Sequence, residues 1–188
     1  MDITAVRLAA PATPTAPALR LRPWCPGDAA GLAAVFRDDG PLRRWVTDAP
    51  HDEAGALRWV RERRRLWESG ECFSFAVVET HDGTAVGRPS GHVVLKRGAP
   101  GGVSAEVGYW TAAHARGRGI APRALRALTD WAFTARPAGE VTRLDLLHQV
   151  DNTASCRVAD KCGYTFSALL PAAPPAFPLD GHRHVRVR

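Results

Sequence analysis

The chain has 188 residues, 45% hydrophobic and 23% charged, with a formal net charge of +6. That is enough for one domain with a substantial core and too little for two ordinary ones, and the balance sets aside collagen-like, disordered and membrane-spanning classes. Lys96 and Lys161 are the only lysines among 25 basic residues; beside abundant Ala, Pro and Gly this arginine bias reads as composition and solubility. No nucleic-acid fold signature accompanies it, which weighs against nucleic acid as a partner.

In chain order, Ala9 to Pro17 are low-complexity Ala, Pro and Thr with little to bury. Residues 1–17 are therefore expected as a flexible leader and 18–188 as a single domain. Proline interrupts the first residues too often for a signal-peptide core, and no window could span a bilayer, so a cytoplasmic protein is expected. Leu19, Leu21 and Trp24 predict a strand, and Asp28 caps a helix to about Phe36. A second helix runs from about Asp52 to Glu68; its Arg61 to Arg65 run reads as a solvated face. Trp45, Trp59 and Trp67 either pack or wall a substrate, helical spacing favouring packing.

Phe73 to Glu79 and Val86 to Lys96 predict two strands joined at His81-Asp82-Gly83, with Pro89 weakening the start of the second. Ala105 to Trp110 is the next strand. Pro122 to about Ala135 predicts a helix with an apolar stripe of Leu125, Leu128 and Ala132. Arg143 to His148 then reads as a strand, Asn152 to Cys162 as a short helix stopped by Gly163, and Tyr164 to Leu170 and His182 to Val187 as strands. The order implies an α+β, mixed three-layer domain on one sheet.

The run Arg116-Gly117-Arg118-Gly119-Ile120-Ala121 precedes the Pro122 helix. It lacks the Gly-Lys-Ser/Thr of a P-loop, and Thr111 to Ala115 separates it from the strand, unlike a dinucleotide fingerprint. Consecutive N–H groups wrapping a pyrophosphate fit better, with the helix dipole and Arg116, Arg118 and Arg123 assisting; the alternative is a flexible basic loop. Cys25, Cys72, Cys156 and Cys162 lack metal-ribbon spacing and read as reduced thiols. His182 and His184 share a strand face but have no evident third and fourth ligands, so no metal is expected.

AEVGYW, then RGRGIA, then LDLLHQVDNTASCRVADKCGY together resemble the GNAT superfamily of acetyl-CoA-dependent N-acetyltransferases, and within it the branch like ribosomal-protein N-terminal acetyltransferases. The likeness runs from about Leu19 to Arg188. It implies a mostly antiparallel sheet of about seven strands whose Ala105 to Trp110 and Arg143 to His148 strands splay apart. Pantetheine would lie along the main chain of Trp110 and Thr111, the pyrophosphate on Arg116 to Ala121, and Asn152 and Ser155 would face the thioester. The alternative for the last pair is ordinary N-capping with Ser155 solvated.

The resemblance further implies acetyl-CoA as cosubstrate and a primary amine as acceptor, by direct transfer rather than through Cys156. A protein N-terminus is the first reading, and an aminoglycoside-like or polyamine-like small molecule the close alternative. A noncatalytic acyl-CoA sensor is the rival from another class, and the chain is expected as a monomer or homodimer. Strand alternation puts Glu106 on a face with Gly108 and Trp110 as candidate base, its carboxyl raised by burial; an ion-pairing role is the alternative. Many relatives carry a tyrosine two residues before the position of Lys161, but here it is Ala159. That leaves Ser155 as proton donor to the departing sulfur. His148 is a relay or a structural histidine, and His182 and His184 are expected to border the acceptor pocket.

Overall fold

The computed structural model describes residues 6–99, 101–135 and 140–188. In chain order come β1 (Leu8–Ala10), β2 (Ala18–Pro23), a 3-10 turn at Pro26–Asp28, α1 (Ala29–Asp38), α2 (Gly40–Arg43) and α3 (Glu53–Glu68). Then follow β3 (Cys72–His81), β4 (Thr84–Arg97), β5 (Ser104–Thr111), a 3-10 turn at Ala113–Ala115, α4 (Ile120–Thr134) and β6 (Arg143–Gln149). The chain closes with α5 (Thr153–Lys161), β7 (Thr165–Leu170) and β8 (Gly181–Val187).

The strands form one eight-stranded sheet in the order β1-β2-β3-β4-β5-β6-β8-β7. Every neighbouring pair is antiparallel except β5 with β6. Helices cover both faces, giving the α+β three-layer arrangement expected. On one face α4 buries Leu125, Leu128 and Ala132 against Val107, Leu144 and Leu146; each large side chain so removed from water contributes about 1.5–3 kcal/mol. On the other, α1 and α3 bury Leu32, Phe36 and Val60 against Ala76 and Trp110. Among the described residues no helix is long and apolar enough to cross a membrane.

Two local features differ from the expectation. The eighth strand is β1, inside the stretch expected as leader: Leu8 pairs with Leu21 and Ala10 with Leu19, and the Arg123 guanidinium donates to the carbonyls of Pro11 and Pro17. Composition hides this because what holds the strand is distant in sequence: pairing to β2, packing of Leu8 and Ala10 on the α4-side core, and one remote arginine. Pro89 lies inside β4, where the register with β3 jumps from Val77↔Gly91 to Glu79↔Val86. The proline falls in the bulge, where no ladder N–H is required.

Candidate active site

β5 and β6 pair from Ser104↔Arg143 to Val107↔Leu146 and then part. β5 stays with β4 to Gly91↔Thr111, and β6 with β8 to Gln149↔Gly181. The strand ends Gly108 to Thr111 and Leu147 to Gln149 therefore border a wedge, the splay expected of these strands. Thr111 Oγ1 and Gln149 Oε1, one from each side, are buried without a hydrogen-bond partner. Unmatched buried polar atoms of this kind are costly and mark where a ligand can compensate. Gln149 was not singled out in the sequence, where its only signal is a polar side chain ending a core strand. The Trp110 side chain is turned into the α1–α3 core against Phe36, so what it can offer the wedge is main chain. Gly91 lets β4 and β5 approach closely here, since a Cβ at that position would come within 2.7 Å of the Trp110 carbonyl oxygen.

From the wedge the chain turns through Ala113–Ala115 into the glycine-arginine segment. Gly117 and Gly119 have φ of 77° and 68°, left-handed values that a side chain disfavours. Gly119 is the N-cap of α4 and supplies no side-chain cap. No described acceptor takes up the N–H groups of Gly117, Arg118, Gly119, Ile120 and Ala121. This uncapped entrance joins oriented donors to the positive end of the helix dipole, as an anion site requires.

The arginines behave otherwise than expected. Arg116 donates to the buried Asp39. Arg118 makes a bidentate pair with Glu79 at 2.7 and 2.8 Å, and Ser90 donates to the same carboxylate at 2.7 Å. Arg123 holds the carbonyls before β2, and burial lowers its pKa. All three guanidiniums are engaged by protein partners rather than extending free, so the uncommitted donors of this segment are main-chain N–H groups. Glu79, which the sequence did not flag, sits at the β3 register shift; only the bulge aims it at Arg118.

The entrance of α5 is capped. Asn152 Oδ1 accepts from the N–H of Ser155 at 3.3 Å, the ordinary capping role. Ser155, however, is not solvated. It is 9% exposed, and its Oγ accepts from the Tyr109 hydroxyl at 3.0 Å. Tyr109 reaches it from β5, and burial pushes its pKa up to about 12, so the phenol remains a donor at neutral pH. The sequence pointed to Ser155 but not to Tyr109, because only the fold brings β5 to α5. Ala159 is fully buried in the α4-side core.

Glu106 faces away from Tyr109, toward the α1–α3 side, one residue before β5 and β6 part. It is not buried: its side chain is 39% exposed and bonded to Lys96 at 2.7 Å. The burial expected of a base is thus absent, because on this interior strand the carboxylate opens to solvent beside Lys96. It lines a shallow depression of about 490 Å³ with Lys96, Arg97, Asp145 and Arg183. Trp67, near the end of α3, packs in the α4-side core against Phe73 and Phe75, as helical spacing favours. Trp59 is half-buried and donates to Asp48 at 2.9 Å, and Arg44 lies over the ring of Trp45. His92 accepts from the indole N–H of Trp24 at 3.0 Å and stacks on Trp110; burial holds its pKa down to about 3, so it stays neutral.

Next to Ser155, the fold gathers His148, Cys156, His182 and His184, with one ligand atom of each within 4.8 Å of all the others. The sequence left His182 and His184 without third and fourth partners; β6 and α5 supply them across gaps that spacing cannot reveal.

Residues 18–165 match the model of the acetyltransferase (GNAT) domain family. No curated protein matches the sequence significantly. A candidate ribosomal-protein-serine acetyltransferase from Vibrio cholerae superimposes with a TM-score of 0.78 at 24% identity, covering 98% of this chain and 99% of that one. Mycobacterium smegmatis RimJ in complex with CoA-disulfide does so with a TM-score of 0.78 at 23% identity, covering 97% and 86%. The microcin C7 self-immunity acetyltransferase MccE, in complex with acetyl-CoA and AMP, gives 0.76 at 16% identity over 94% and 98%. At these identities the likeness shows the fold.

Proposed function

The chain belongs to the GNAT acetyltransferase family and is an acetyl-CoA-dependent acetyltransferase, and from that premise we propose that it acetylates a protein N-terminal α-amine by direct attack. The observation that carries this reading is the wedge between β5 and β6 leading to the uncapped entrance of α4. The main chain of Trp110 and Thr111, with Thr111 Oγ1 and Gln149 Oε1, would hold the pantetheine arm. The N–H groups of Gly117 to Ala121 would hold the diphosphate, Gly117 and Gly119 permitting the close approach; the Arg116 N–H, expected among them, is taken by the Ala113 carbonyl. Acetyl-CoA supplies the thioester.

Ser155 accepts the Tyr109 proton donation, which leaves the Ser155 hydroxyl hydrogen free for the departing sulfur. Asn152 fixes the turn that presents it. Glu106 takes the proton of the attacking amine, directly or through water. An α-amine of pKa about 7.7–8.0 gives up its proton far more readily at neutral pH than a lysine of about 10.4, so it asks less of this half-exposed, Lys96-paired carboxylate. The depression it lines carries Lys96, Arg97 and Arg183 against Glu106 and Asp145. That surplus of positive charge works against polycationic acceptors such as aminoglycosides or polyamines.

The test is thiol release with mass-spectrometric identification of the product across short peptides with varied N-termini, polyamines and aminoglycosides. Acetylated peptide α-amine is expected. Turnover confined to small amines, or acetyl-CoA binding with no turnover on any amine, would overturn the reading. Glu106→Gln is expected to lower kcat by about 100-fold, the low end of general-base contributions, while leaving acetyl-CoA affinity within twofold by calorimetry; unchanged kcat removes Glu106 from the base role.

A further inference from the structure

The four side chains gathered beside Ser155 form a second, distinct arrangement. The register pairs His148 with His182 and Leu146 with His184, which sets the three imidazoles on the α5 side of the sheet, and Cys156 enters from the first turns of α5. The Cys156 sulfur lies 3.3 Å from His182 Nδ1 and 3.7 Å from His148 Nε2. Zinc bonds of about 2.0–2.1 Å to nitrogen and 2.3 Å to sulfur set neighbouring tetrahedral ligands roughly 3.4–3.6 Å apart. Two edges of the cluster therefore already have the length that a metal would impose.

A separate observation points to a ligand. His184 is 3% exposed, yet neither ring nitrogen has a hydrogen-bond partner. A buried neutral imidazole with both nitrogens unmatched holds a lone pair open to a proton donor or a metal ion. His148 shows the complementary feature: its Nδ1 lies 2.9 Å from the Gln149 carbonyl, which can only accept. The hydrogen therefore sits on Nδ1, and the Nε2 lone pair faces Cys156. A backbone carbonyl fixing the tautomer in this way is the usual outer support of a metal-bound histidine. The Phe166 ring lies against His182 and His184, giving the group an apolar flank.

We propose that His148, Cys156, His182 and His184 form a four-coordinate site for zinc or a similar borderline-soft divalent ion. Four protein ligands leave no open coordination position, so the ion is structural. It ties the beginning of α5, and Ser155 with it, to β6 and β8. On binding, the Cys156 thiol gives its proton to solvent and the thiolate bonds the ion.

The test uses the full chain, stripped by a chelator and titrated with cobalt(II), read by visible absorption and by metal content. One equivalent is expected, with the intense bands of tetrahedral cobalt and a thiolate charge-transfer band, both displaced by zinc. Cys156→Ser should lose the charge-transfer band. His182→Ala should weaken binding by more than the 10–100-fold typical of outer-shell changes, on the order of 1000-fold, with circular dichroism confirming that both variants fold. Failure of the wild-type chain to bind cobalt, a weak octahedral spectrum, or an unchanged charge-transfer band in Cys156→Ser would overturn the site. None of these readouts depends on acetyl transfer.

Discussion

The entrances of α4 and α5 face the same problem, the unpaired N–H groups that begin any helix, and solve it in opposite ways. At α4 the N-cap is Gly119 in the left-handed region, no side chain caps it, and the nearby arginines are tied to Asp39, Glu79 and backbone carbonyls. At α5 the side chain of Asn152 takes the Ser155 N–H, and it is the side chains of Ser155 and Cys156 that face inward. Backbone left uncommitted makes a receiver for an anion, whereas backbone that is capped makes a rigid mount for reactive side chains. The two entrances flank the same wedge, and the proposed function divides binding and chemistry between them.

On that proposal, substitutions at the two entrances should separate affinity from rate. The largest effect is expected for Gly119→Glu, which forces a side chain into a left-handed residue, at about 1–2 kcal/mol, and sets a carboxylate among the N–H groups. Acetyl-CoA binding should fall by more than about 100-fold in calorimetry, each 1.4 kcal/mol being tenfold. Gly119→Ala, without the charge, should lose only about tenfold. Equal losses for both variants would mean that strain alone matters and that no anion sits there.

At α5 the split should reverse. Ser155→Ala is expected to lower kcat by about 100-fold with little change in cofactor affinity, and Tyr109→Phe by about tenfold, the worth of one hydrogen bond. Because burial raises the Tyr109 pKa to about 12, its donated bond should persist through pH 10, where an ordinary tyrosine is half-ionised. The pH-rate profile of the wild type should therefore show no falling limb near 10 that Tyr109→Phe removes. The smallest effect is expected for Asn152→Ala: loss of one cap costs about 1 kcal/mol, a fall in Tm of about 2–4 °C for a chain of this size, read by thermal denaturation. A large loss of acetyl-CoA affinity in that variant would blur the contrast between the two entrances.

Much of this organisation was legible in the residues. Period-two and period-3.6 patterns located seven of the strands and the main helices, RGRGIA marked the turn, and the family resemblance carried by AEVGYW and the Asn152-Ser155 helix implied the wedge and the mount. What escaped was everything carried by distant partners. β1 is held by pairing to β2, and Glu79 reaches Arg118 through a bulge. Glu106, which alternation put on the correct face, is half-exposed beside Lys96 in a shallow depression rather than buried.

The sequence by itself determined the elements, their order and the glycine turn, because backbone preference and hydrophobic period act over a few residues. Only the tertiary structure decided which side chains meet: Tyr109 with Ser155, Arg116 with Asp39, and His148 with Cys156, His182 and His184. Those meetings depend on strand register and on how α5 lies across β6 and β8, geometry that follows from packing the whole core and that no local spacing encodes.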